Sequence, residues 1–109
     1  MDGTLAWAAL IVAGLLDVAW AISMKQAQGY TRLGWSLLSF ALLAGFVFLL
    51  GRALRVLPLG TAYAVWTGIG AAGTVLAGVA LFEEALTLPR LGGIALVMAG
   101  IVVLKLAPG

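Results

Sequence analysis

The chain has 109 residues, 64% of them hydrophobic and only 9% charged, with a net charge of +2. Soluble domains carry roughly 25% charged residues and cannot hide this much apolar surface, whereas a bilayer covers it. Six Lys and Arg, scattered singly, are too few for a nucleic-acid surface, and without Cys or His there is no disulfide, no thiolate or imidazole metal site, and no serine–histidine or cysteine nucleophile.

Charges and turn residues divide the chain into four apolar runs, at about residues 4–24, 33–51, 57–82 and 90–106. Each approaches or exceeds the roughly 20 residues needed to cross a bilayer, the last only with its flanks. The expected architecture is therefore an all-α membrane protein, one four-helix transmembrane domain over residues 1–109. Short connectors make sequential helices run antiparallel. Ala19-Trp20-Ala21 is similar to a signal-peptide cleavage site, but no Lys or Arg precedes it and Asp17 interrupts the apolar run, so the segment reads as a span. With four spans, Arg52, Arg55 and Lys105 fall on one side and Lys25, Arg32 and Arg90 on the other. Three against three gives no preferred orientation under the positive-inside rule. Such a balance fits noise in a small chain or insertion in both directions.

The first span holds the most informative residue. Asp17 is an acid inside an otherwise uncharged run, while the other nine charged residues sit at or beyond the edges of apolar segments. A carboxylate in hydrocarbon costs a few kcal/mol or more, so it marks a functional site. Helical spacing puts Leu10, Ala13, Gly14, Trp20, Ala21 and Met24 on its face. The small residues admit a neighbouring helix or a ligand, and Trp20 brings an indole N–H and a ring face able to hold a cation.

In the second span, Ser36 and Ser39 are expected to bond back to their own helix carbonyls. The third span opens at Pro58, near a first turn where proline is tolerated. Tyr63, Trp66, Thr67 and Gly70 share one of its faces and supply hydroxyls and aromatic walls suited to a buried cation. Gly68, Gly70 and Gly73 loosen this helix or let a neighbour approach. In the fourth span Gly93 and Gly100 are seven residues apart, on one face, as in a helix–helix seam. Glu83 and Glu84 read as a solvated loop, and the Lys and Arg residues as interfacial anchors.

One acid per chain and a symmetric dimer give two facing carboxylates that titrate as a pair. Protons and a cation then compete for one site. Coupled to opening on alternate sides, that competition is proton/cation exchange, with the proton gradient driving the cation outward.

The runs Gly14-Leu15-Leu16-Asp17-Val18-Ala19-Trp20, Gly29-Tyr30-Thr31-Arg32-Leu33 and, above all, Pro58-Leu59-Gly60-Thr61-Ala62-Tyr63-Ala64-Val65-Trp66-Thr67-Gly68-Ile69-Gly70 resemble the small multidrug resistance family, the third-span run its guanidinium-exporter branch. The resemblance covers essentially the whole chain. It implies an antiparallel, dual-topology homodimer in the bacterial inner membrane. It also implies proton-coupled export of guanidinium or related cations. With one intramembrane acid and no nucleophile–base pair, no enzymatic activity and no cofactor are expected. The central acid position maps onto Asp17, its surroundings onto Gly14, Trp20, Tyr63 and Trp66, and the dimerisation seam onto Gly93 and Gly100. Two positions depart from the pattern. The family's acid is a glutamate, one methylene longer than Asp17. A second-span serine that hydrogen-bonds the acid is replaced by Phe46, an aromatic wall suited to a greasier cation. Export of quaternary ammonium cations is thus the alternative within the family. A non-transporting membrane assembly protein, with Asp17 paired to a partner's basic residue, is the alternative outside it.

Overall fold

The computed structural model describes residues 3–107. They form α1 (Gly3–Gln26), α2 (Leu33–Ala53), α3 (Leu59–Leu81) and α4 (Leu88–Leu106), with no strand among them. All four helices are long and apolar enough to cross a membrane, so this is an all-α, multi-pass membrane protein.

The helix ends follow from local chemistry. Pro58 occupies the N-cap of α3, where no N–H is needed, and its carbonyl accepts from Ala62 N at 2.9 Å. Thr87 caps α4, its Oγ1 accepting from Arg90 N at 3.4 Å, and Pro89 lies in the first turn. Ser36 Oγ donates to the Arg32 carbonyl at 2.8 Å and so bonds back within its own turn. Ser39 does not: its hydroxyl pairs with Tyr30 Oη at 3.2 Å. The α1–α2 turn explains the difference. Gln28, Gly29 and Tyr30 all have positive φ, at 50°, 73° and 66°, a conformation only glycine takes without strain. The turn carries Tyr30 back over α2, where it stacks on Phe40 with centroids 5.5 Å apart.

Helix α1 lies between α2 and α3, and α4 packs along the far side of α3. The result is a flattened raft of 44 × 34 × 17 Å. Its core sets Leu10 of α1 and Val65 of α3 among the alanines Ala6, Ala9, Ala53 and Ala62. Large apolar side chains such as Leu33, Leu88, Leu96 and Leu106 point outward, and α4 has no buried residue at all. Lipid gives no hydrophobic drive between helices, so close packing must hold them. At Gly14 a Cβ would stand 2.5 Å from Ile69 Cγ2, and at Gly73 it would stand 2.5 Å from Val18 Cγ2. Gly73→Ala is therefore expected to overpack the α1–α3 seam at a cost of about 1–3 kcal/mol. It should lower the unfolding temperature in detergent micelles, and a second change, Val18→Ala, should recover most of the loss.

Candidate functional site

Asp17 lies on the face of α1 that meets α3. Its carboxylate rests against Gly70, where any Cβ would collide with Oδ2. Gly70 is thus the gap that lets an acid sit between the two helices. Asp17 is half-buried and, among the described residues, has no hydrogen-bond donor or cation of its own. It lines a cavity of about 490 Å³ shared with Ala21, Thr67, Gly70 and Thr74, which extends to Lys25, Phe82, Glu84 and Arg90 at the loop end. Both threonine hydroxyls donate to their own helix, Thr67 Oγ1 to the Tyr63 carbonyl at 2.8 Å and Thr74 Oγ1 to the Gly70 carbonyl at 2.5 Å. What remains on each oxygen is acceptor capacity. The mid-membrane part of the cavity therefore offers a carboxylate and hydroxyl acceptors, a set that suits a cation.

The aromatic residues singled out from the sequence come together beside this cavity. Trp20 of α1 and Phe46 of α2 have centroids 5.3 Å apart, Phe46 and Trp66 of α3 are 5.4 Å apart, and Tyr63 stands edge-on to Trp66 at 5.3 Å. Phe46 is buried between the two indoles. The indole Nε1 atoms of Trp20 and Trp66 are buried without an acceptor, each costing about 1–3 kcal/mol while unpaired. Tyr63 is 54% exposed, on the open face of the raft.

None of these four rings lines the Asp17 cavity, so within one chain they form an adjoining cluster. Gly14 is the contact point for Ile69 and, at 3.6 Å from its would-be Cβ, the Trp66 carbonyl. Gly93 and Gly100 have nothing within 4 Å of a would-be Cβ and lie on the open surface of α4.

Glu84 departs from the sequence expectation. It is not simply a solvated loop residue: its carboxylate abuts Gly78, pairs with Arg90 at 3.2 Å and Lys25 at 3.6 Å, and lines the same cavity as Asp17. The only hint in the sequence is the Gly70, Thr74, Gly78 spacing, which keeps one stripe of α3 narrow. No cluster of metal-ligating side chains occurs among the described residues.

A family model described as Small Multidrug Resistance protein matches residues 5–97. The chain belongs to the small multidrug resistance family. It is 50% identical over 103 residues to the guanidinium exporter of Yersinia pseudotuberculosis serotype I (strain IP32953), an alignment covering 94% of this chain and 99% of that one. The guanidinium exporters of Citrobacter freundii and Proteus vulgaris are 46% and 43% identical over the same length, covering 94% of this chain and 98% and 99% of theirs. This small multidrug resistance protein is accordingly a four-helix membrane transporter, in a family of dual-topology homodimers.

The Phe46 ring holds the α1–α2–α3 junction of this small multidrug resistance protein together. Phe46→Ala is expected to cost about 3 kcal/mol, at the low end for emptying a buried aromatic site. Chemical unfolding in detergent measures the loss, and a red shift of tryptophan emission should report water reaching Trp20 and Trp66. Phe46→Leu should lose much less.

Proposed function

We propose that this protein is a proton-coupled antiporter that exports guanidinium or guanidinium-like small cations across the bacterial inner membrane, working as an antiparallel homodimer. The observation that carries this reading is Asp17: a carboxylate with no internal partner, set against Gly70 in a cavity whose threonine hydroxyls are left as acceptors. Planar guanidinium presents paired N–H groups that match carboxylate geometry. The relatives named guanidinium exporter, at 43–50% identity, support that choice of cation.

The flat shape supports the dimer. The raft leaves its Tyr63 face uncovered, and a second copy laid across it supplies a further wall. Two carboxylates in one site titrate as a pair, so protons leave when a cation arrives. Gly68, Gly70 and Gly73 make α3 the helix best able to bend between states open to opposite sides.

Phe46 favours a second reading, export of quaternary ammonium cations. The stack of Trp20, Phe46 and Trp66 is an apolar aromatic surface, and a cation without N–H groups is held by ring faces. Growth of a sensitive bacterium expressing the protein separates the two. Protection against guanidinium and none against a quaternary ammonium biocide supports the first reading, and the reverse supports the second. Purified protein in liposomes on a supported membrane should give transient currents on guanidinium addition, and Asp17→Asn should abolish them. Equal currents from the Asn variant would overturn the role given to Asp17.

A further inference from the structure

The loop end of the Asp17 cavity holds a second carboxylate that is already liganded by a guanidinium group, that of Arg90. Arg90 Nη2 is 3.2 Å from Glu84 Oε1, and Lys25 Nζ is 3.6 Å from Glu84 Oε2. The Lys25 ammonium also lies 4.6 Å from the centroid of the Phe82 ring. A carboxylate and a ring face are the two groups that hold an organic cation, and here the protein's own cations occupy both. The arrangement is built by the chain. Glu83 turns with φ of +57°, and Glu84 N then donates back to the Gly78 carbonyl at 3.2 Å, which seats the carboxylate on α3.

The two acids share one helix face. Asp17 rests on Gly70 and Glu84 on Gly78, eight residues apart along α3, or about 12 Å at 1.5 Å per residue. Thr74 lies between them on the same stripe and lines the same cavity. The Glu84 pairs are partly exposed, with side-chain exposures of 38% for Glu84, 34% for Arg90 and 56% for Lys25. Ion pairs of this kind are weak and exchange readily.

We infer that Glu84 is a loading site for the transported cation, at which substrate guanidinium displaces Arg90 and Lys25 from the Glu84 carboxylate before passing along the Gly70–Thr74–Gly78 stripe to Asp17. This rests on the export function proposed above and assigns a substrate-selecting role to a loop acid and two interfacial bases. Arg90 serves as an internal stand-in for the substrate: the site is shaped for a guanidinium because one already sits in it.

The test measures guanidinium-evoked currents against concentration for the full-length protein in liposomes. Glu84→Gln should raise the half-saturating concentration about three- to fivefold, the weight of one half-exposed ion pair. Arg90→Gln and, independently, Lys25→Gln should lower it, because each removes a competitor for Glu84. Opposite directions are the signature of competition. If the three variants move the same way, the cluster only clasps the loop and the loading site is wrong. An unchanged value for Glu84→Gln also overturns it. Lys25→Gln leaves the Arg90 bonds to the loop intact, so it decides the question even where Glu84→Gln or Arg90→Gln fails to fold. If the parent gives no guanidinium current, the export reading itself falls. A parent current that Asp17→Asn abolishes, with Glu84→Gln unchanged, leaves export standing and removes only the loading site.

Discussion

How near α1 can come to α3 governs everything else in this molecule. At three levels a glycine of one helix receives a side chain of the other: Gly14 takes Ile69, Gly70 takes Asp17 and Gly73 takes Val18. Between hydrocarbon and hydrocarbon there is no hydrophobic gain in bringing helices together, so such close fitting supplies the attraction. The same fit solves the placement of the acid. A side chain at the α1–α3 seam needs room, and Gly70 provides it for the Asp17 carboxylate. It also holds the carboxylate at the wall of a cavity and not in lipid.

The seam divides the polar inventory in two. On one side, Asp17, Thr67 and Thr74 line a cavity that extends to Glu84, Arg90 and Lys25 at its loop end. Beside it, Trp20, Phe46, Trp66 and Tyr63 form a continuous aromatic ladder spanning three helices. A single copy separates these groups, and its flat shape leaves both broad faces open. The isolated chain carries an acid and two buried indole N–H groups with no hydrogen-bond partner among the described residues. Helix α4, bare along Gly93 and Gly100, is the most exposed surface of the raft.

The fold was legible because membranes impose simple rules. Charges mark the ends of spans, and a single internal acid stands out against 64% hydrophobic residues. The helical face around Asp17 followed from periodicity, and Trp66 and Tyr63 from their spacing on α3. Phe46 was different: nothing in its own helix sets it apart, and only the resemblance to the family directed attention to it. Ser39 and Glu84 escaped because both depend on left-handed residues in turns. Tyr30 reaches Ser39, and Glu84 reaches Gly78, only after backbones with φ of 66° at Tyr30 and 57° at Glu83. Periodicity carries no record of such turns, and a Glu near a helix end reads as solvated unless its path back over the helix is known. Contact across helices, rather than type or order of residues, decides which side chains share a cavity.

The central claim is that a cation and protons contend for the Asp17 carboxylate. Proton release measures that contention directly. Purified protein in weakly buffered detergent solution, mixed with guanidinium in the presence of a pH indicator, should release protons in a saturable way, and the Asp17→Asn protein should release none. Saturable guanidinium binding by the parent without proton release, or equal release from the Asn variant, would contradict the account.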